Sequence, residues 1–188
     1  MQQRRYQQKA RLSMSVAVIG LFSAIYILVG GVLGVVIGPF LRGYPAHFLR
    51  GWLMSSSAAY SGRMWSASLL GLMSGLVFLV VVPAPAPYLP LATLAAGVTY
   101  DLALSPVTKY SSNALSSRRI ILATSISSVA ESITALAVLT YIGLFTDNPI
   151  ILAIIWTAAI LANITLACVG SLITIFSIRK KILLSRLY

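Results

Sequence analysis

Four long segments of this chain contain no charged residue, and no other feature constrains the fold as strongly. They are residues 12–41, 64–100, 120–130 and 148–178. A helix of about 20 apolar residues spans the roughly 30 Å hydrocarbon core of a bilayer. With 59% hydrophobic and 9% charged residues, the chain cannot cover a water-soluble surface. We therefore expect a multi-pass protein of the cell membrane.

Prolines, glycines and polar turns divide these apolar segments. The breaks are Pro39, the proline-rich run 83–87, the Ser105-Pro106 pair and the turn 146–149, because proline cannot continue a helix. The pattern predicts an all-α bundle of six transmembrane helices that forms a single domain over residues 1–188. The predicted spans cover about residues 12–37, 44–60, 64–82, 89–104, 120–145 and 150–178.

The positive charges indicate the orientation of this bundle. The formal net charge is +11. Six spans would place both termini, the 60–64 turn and the 105–119 loop on one side of the membrane, and of the 14 lysines and arginines only Arg42 and Arg50 fall elsewhere. The positive-inside rule then predicts that both termini are cytoplasmic. Since the cations flank apolar segments, we expect them to meet the lipid bilayer rather than nucleic acid.

Ionisable residues within a span are costly and need a reason. His47 and Arg50 lie three residues apart on one face of the second span, where they could bind a carboxylate or phosphate. Alternatively, Arg50 could extend towards the outer headgroups. Glu131 lies in a polar stripe of the fifth span whose other members are Ser127, Ser128, Ser132 and Thr134. It could bind a ligand amine or ring nitrogen, or it could pair with Arg50 and hold helices together.

Three other polar positions are open to two interpretations. Asp101 lies near the predicted cytoplasmic end of the fourth span, where it could be solvated or pair with Lys109 or Arg118. Asn163 and Trp156 lie seven residues apart on one face of the sixth span, and each could contact a ligand or another helix. The predicted substrate-binding residues are His47, Arg50, Glu131, Trp156 and Asn163.

No constellation of catalytic residues is evident. One histidine and three carboxylates supply no metal cluster, and the chain lacks a Gly-x-Ser-x-Gly motif and a phosphate-binding glycine loop with a lysine. We therefore predict no catalytic residue, no metal and no cofactor. An intramembrane enzyme remains an alternative, whereas a stand-alone channel would need rings of polar residues.

Small residues recur at helical spacing in two spans. Ser13 and Ala17, then Gly20 and Ala24, lie four residues apart on the first span, and residues 71 and 75 are glycines on the third. Such spacing lets helix backbones approach closely. We expect these positions to form helix-packing surfaces.

Three short segments resemble the substrate-binding S components of energy-coupling factor (ECF) vitamin transporters. They are residues 18–26 (VIGLFSAIY), 62–75 (GRMWSASLLGLMSG) and 96–101 (AGVTYD). The resemblance implies a six-helix subunit that captures a small vitamin-like molecule from the outer side. It further implies partners, namely a scaffold membrane subunit and ATPase subunits that drive delivery.

The resemblance also implies where the partner and the ligand bind. The docking face of the family carries an Ala-xxx-Ala pattern on the first helix, matched here by Gly20 and Ala24, with Ser13 and Ala17 as an alternative register. Family ligands bind between the outer loops and the last three helices. The glycine-rich segment 30–39, whose outer end could be unwound, is a candidate lid.

A second hypothesis is that the chain is a non-catalytic structural or assembly subunit of a larger membrane complex. It predicts no ligand and a mutual ion pair between Arg50 and Glu131. The sequence leaves the identity of any ligand open.

Overall fold

The protein is almost entirely helical. The computed structural model describes residues 2–36, 43–81, 88–105 and 109–184, with about 90% helix and no strand in these ranges. The described helices are α1 Gln2–Val36, α2 Gly43–Ser61, α3 Ser66–Val81, α4 Tyr88–Leu104, α5 Tyr110–Asn113, α6 Ser117–Tyr141 and α7 Pro149–Leu184.

The six long helices coincide closely with the six predicted apolar segments. The prediction of an unwound outer end on the first segment is wrong up to Val36, because α1 continues through its glycines to that residue. An apolar environment favours this outcome, since a helix satisfies its own backbone groups. Pro39, the run 83–87 and Pro106, predicted as breaks, lie outside the described residues.

The region predicted as a loop over residues 105–119 includes helical residues at 110–113 and 117–119. It contains α5, and α6 begins at Ser117 rather than near residue 120. The tight turn predicted at residues 146–149 is confirmed. There the Asn148 side-chain oxygen accepts hydrogen bonds from the backbone amides of Ile150 and Ile151, at 3.0 and 3.3 Å. Asn148 thereby caps the start of α7.

Three helices in the described ranges are long and apolar enough to cross a membrane. These segments are Leu12–Gly30, Ser117–Tyr141 and Pro149–Lys180. Two further helices, over Ser66–Val80 and Tyr88–Leu104, are apolar but shorter. The protein is therefore an all-helical protein with the features of a membrane protein.

The long helices form a closed ring. α1 packs against α2 and α3, α3 against α4, α4 against α6, α6 against α7, and α7 returns to α2. Side chains buried inside this ring include Leu53, Met54, Leu70 and Tyr100. α7 packs beside both α2 and α6, so these three helices meet on one side of the ring.

Side-chain contacts show that α1 and α2, and likewise α6 and α7, run in opposite directions. The Arg63 guanidinium, in the turn after α2, donates to the Ser15 hydroxyl of α1 at 3.2 Å. The Arg179 guanidinium near the end of α7 lies 3.5 Å from the Ser117 hydroxyl at the start of α6. We call this end of the bundle the basic end, because it carries the exposed cations Arg63, Lys109, Arg118, Arg119, Arg179 and Lys180.

Glycines set the closest helix crossings. A methyl group at Gly51 of α2 would overlap the Ala167 carbonyl of α7, and one at Gly170 of α7 would overlap the Phe48 carbonyl of α2. These two glycines let the α2 and α7 backbones touch. They fix the position of α2 at the level where its polar side chains enter the bundle.

The predicted packing surface on the third segment is confirmed. Methyl groups at Gly71 and Gly75 of α3 would overlap atoms of Thr93 on α4. Gly97 of α4 makes the reciprocal close contact with the Ala67 carbonyl of α3. α3 and α4 therefore form a tight pair on the side of the ring opposite α7.

Candidate binding site between three helices

Arg50 is the central residue of a polar cluster inside the bundle. It lies seven residues into α2, about 10 Å along the helix at 1.5 Å per residue. Only 1% of its surface is exposed. The alternative in which Arg50 extends to the headgroups is therefore wrong. Its neighbours Leu49 and Leu53 are also buried, so the helix turns this whole face inwards.

The Arg50 guanidinium has partners on two other helices. It donates to the Ser128 hydroxyl of α6 at 2.9 Å and to the Asn163 side-chain oxygen of α7 at 2.7 Å. It also forms an ion pair with the Glu131 carboxylate of α6. Charge pairing and hydrogen bonds together offset the cost of burying the cation.

Asn163 connects the two charged groups. Its amide oxygen accepts from Arg50, while its amide nitrogen donates to Glu131 at 2.8 Å and to the Ser132 hydroxyl at 2.7 Å. An asparagine can fill both roles because its amide carries an acceptor and two donors. The amide therefore holds α7 to α6 at the level of the ion pair.

His47 forms the accessible edge of this arrangement. Its Nδ1 lies 3.3 Å from Glu131 Oε2, and 29% of its side chain is exposed. Since His47 is one turn before Arg50, both reach the same carboxylate. We call the set the polar cluster, and its members are His47, Arg50, Ser128, Glu131, Ser132 and Asn163.

The structure brings together four of the five predicted substrate-binding residues. The fifth, Trp156, lies two helical turns from Asn163 towards the start of α7, and its indole nitrogen lies 3.3 Å from the Thr140 hydroxyl of α6. Ser128 and Ser132 belong to the predicted polar stripe but were not assigned to the site. Their spacing of four residues, on either side of Glu131, is the signal that could have added them.

The polar cluster combines opposite charges and neutral hydrogen-bonding groups. Arg50 and Glu131 neutralise each other, and the Asn163 amide and two serine hydroxyls complete the network. A group that enters beside His47 would meet a carboxylate acceptor first and a guanidinium donor behind it. This arrangement suits a small polar molecule that carries both a donor and an acceptor.

Asp101 belongs to a separate buried network near the basic end. It is neither solvated nor paired with Lys109 or Arg118. Its carboxylate accepts from the Ser68 amide and hydroxyl of α3, at 2.8 and 2.7 Å, and from the Tyr110 hydroxyl of α5. Burial and the nearby Asp101 carboxylate raise the pKa of the Tyr110 phenol, which therefore stays protonated and donates.

The predicted docking residues of α1 line an uncovered face. Ser13, Ala17 and Ala24 are exposed, and a methyl group at Gly20 would meet no atom within 4 Å. The opposite face of α1 is directed inwards through Ile19 and other buried residues. No other described part of the chain occupies the small-residue face.

Neither a cluster of metal-binding side chains nor a known relative identifies the function of the described residues. The described residues contain no group of three or more histidine, cysteine, aspartate or glutamate side chains that could hold a metal ion. No protein-family model, no curated protein and no solved structure matches this chain. A functional assignment therefore has to come from the residues and geometry described above.

Proposed function

We propose that this protein is the membrane-embedded substrate-capture subunit of an ECF-type importer. In this proposal the chain crosses the membrane six times with both termini in the cytoplasm. It binds a small vitamin-like molecule from the outer side and delivers it together with a scaffold membrane subunit and ATPase subunits. The observation that carries the proposal is the polar cluster, built from α2, α6 and α7 with His47 at its accessible edge.

The position of the polar cluster supports this function. The basic end of the bundle would face the cytoplasm under the positive-inside rule. Arg50 lies in the first half of α2, whereas the contacts at the basic end begin near Ser61, so in this orientation the polar cluster would lie in the outer half. The resemblance to S components implies a ligand near the outer face and the last helices. Two of the three helices that form the polar cluster, α6 and α7, are the last two described helices.

The uncovered face of α1 supports the partner part of the proposal. A subunit without its own energy source has to dock on one that hydrolyses ATP. Small side chains at Ala17, Gly20 and Ala24 leave room for the backbone of another helix. The proposed docking face is separate from the polar cluster, so ligand capture and docking can occur together.

The Arg50–Glu131 ion pair favours a second candidate, a structural or assembly subunit without a ligand. That hypothesis predicts a mutual ion pair, and the pair is present. In the capture proposal the same pair is the resting arrangement, which a ligand opens from the His47 side. The two candidates therefore differ in whether a compound occupies the polar cluster.

Mass spectrometry of small molecules extracted from the purified, detergent-solubilised chain distinguishes the two candidates. The test variants are His47→Ala and Glu131→Gln, which change the accessible edge and the carboxylate. The matched control is Ser127→Ala, because Ser127 lies on the same stripe of α6 but donates to the Ala96 carbonyl at 2.8 Å, outside the polar cluster. Thermal unfolding of each variant verifies that it is folded.

The capture proposal predicts a compound that binds the wild type at about one molecule per chain. This compound should be retained by the Ser127→Ala control and lost from both test variants. An empty wild type that also shows no thermal stabilisation by a panel of vitamins and their precursors would support the structural subunit instead.

A further inference from the structure

A groove with apolar walls and a cationic rim lies between α6 and α7 at the basic end. Its volume is about 510 Å³. Arg118 and Ser117 of α6 and Arg179 of α7 form its polar end. The walls that extend away from this end towards the middle of the helices are formed by Ile121, Leu122, Leu172, Ile175 and Phe176.

The polar end of the groove carries a concentrated positive potential. Arg118 and Arg179 both line it, and the Arg179 guanidinium lies 3.5 Å from the Ser117 hydroxyl. α6 begins there, and the Ser116 side chain makes no capping hydrogen bond to its first amides. A helix start adds a partial positive charge and free N–H donors. Three positive contributions therefore converge on one end of a groove whose other lining residues are apolar except for Ser125.

No described carboxylate neutralises these charges. The chain has only three acidic residues. Glu131 is paired in the polar cluster and Asp101 is held by α3 and Tyr110. Asp147 lies in the turn between α6 and α7, at the opposite end of both helices. An anion from outside the chain is thus the complementary partner.

We propose that this groove binds an anionic phospholipid. The phosphate of the headgroup would lie between Arg118, Arg179 and the start of α6, where guanidinium groups and helix amides bind phosphate well. One acyl chain would lie along the apolar walls. Basic pockets between membrane helices bind acidic headgroups for this reason. The site does not depend on the substrate-capture function.

A second groove in the same protein shows why the charge matters. It lies along the first half of α7 and is lined by Pro149, Ile150, Thr157 and other residues that include no charged side chain. Lipid tails can cover this surface whatever their headgroup. The α6–α7 groove at the basic end differs because its apolar walls lead directly to two arginines.

Native mass spectrometry of the full chain in detergent tests the proposal. The protein is titrated with phosphatidylglycerol or phosphatidylcholine of identical acyl chains. The test variant is Arg118→Gln/Arg179→Gln. The matched control is Lys109→Gln/Arg119→Gln, which removes two exposed charges from the same end of the bundle outside the groove. Arg118→Lys/Arg179→Lys keeps the charge, and thermal unfolding verifies that all variants are folded.

We expect the wild type to prefer phosphatidylglycerol over phosphatidylcholine. The test variant should bind phosphatidylglycerol about tenfold more weakly or worse. The control and the lysine variant should stay within about twofold of the wild type, since each keeps two cations at the groove. Inorganic phosphate should bind with lower affinity than phosphatidylglycerol, because it cannot contact the apolar walls.

Three results would overturn the proposal. Equal losses in the test and control variants would show that diffuse surface charge attracts the lipid. Equal binding of the two phospholipids by the wild type would show that the arginines do not select the headgroup. Arginine-dependent binding of inorganic phosphate with the same affinity as the lipid would identify a simple anion site.

Discussion

The Asp101 carboxylate of α4 accepts hydrogen bonds from both the backbone amide and the hydroxyl of Ser68, at 2.8 and 2.7 Å. Ser68 lies in the first turn of α3. The residue before that helix, Trp65, has a left-handed backbone with φ of 74°, and its side chain has no oxygen to cap the helix. Asp101 supplies from a neighbouring helix the cap that the local sequence lacks.

Replacing Asp101 should therefore destabilise the junction of α3, α4 and α5. We expect Asp101→Asn to lower the free energy of unfolding by about 1–2 kcal/mol. The variant loses the negative charge that faces both the start of α3 and the Tyr110 hydroxyl. Thermal unfolding in detergent measures the effect. Asp147→Asn is the control, because Asp147 is exposed in the turn between α6 and α7, and an equal shift in both variants would contradict the capping role.

The second prediction concerns the crossing of α2 and α7. Gly51→Ala or Gly170→Ala should reduce the yield of folded protein strongly, since each added methyl group overlaps a backbone carbonyl of the other helix. Gly20→Ala provides a matched control in α1, where the methyl group meets no atom within 4 Å. Size-exclusion chromatography in detergent reports the folded yield. A wild-type yield from Gly51→Ala would show that the two backbones are not in contact.

The third prediction is that Arg50 and Glu131 are energetically coupled. Arg50→Met or Glu131→Leu alone leaves a buried charge without its partner, and we expect each to cost about 3–5 kcal/mol. The double variant should cost clearly less than the sum of the two, because it leaves neither charge unpaired. A double-mutant cycle from thermal or denaturant unfolding measures the coupling. Strictly additive effects would mean that the ion pair contributes nothing to stability.

The fourth prediction tests the docking face proposed for α1. Ala17→Leu/Ala24→Leu should leave the thermal unfolding of the isolated chain unchanged, because both positions are exposed. The same variant should recover at least fivefold less ATPase subunit when the tagged chain is purified from its native membranes, since small residues at a contact permit close helix approach. Ala153→Leu/Ala158→Leu changes exposed alanines of α7 instead. Equal recovery from all three proteins would argue against docking through α1.

The helices could be predicted from the sequence because hydropathy and helix breakers act locally. Each predicted segment boundary lies within a few residues of an observed helix end, apart from the additional first turns of α1 and the last turns of α7. α5 could not be predicted in this way. Its four residues carry little periodicity, and its position depends on the contact between Tyr110 and Asp101.

The polar cluster was predictable in composition but not in detail. Ionisable residues in apolar segments pointed to His47, Arg50 and Glu131, since such residues need partners inside a bundle. The choice between ligand contacts and a mutual ion pair depends on distances between α2 and α6, which sequence spacing does not contain. Trp156 shares a helical face with Asn163, yet two helical turns separate it from the polar cluster.

The contact between α2 and α7 determines which helix can move. Gly51 and Gly170 hold the two backbones against each other, so sliding one helix along the other would drive side chains into carbonyl groups. Arg50 and Asn163 consequently travel as one rigid unit. Glu131 belongs to α6, which contains no glycine and is bonded to α7 at this level through the Asn163 side chain. A helix movement that separates the ion pair would therefore shift α6 relative to α2 and α7, and it would also break the hydrogen bonds from the Asn163 amide to α6.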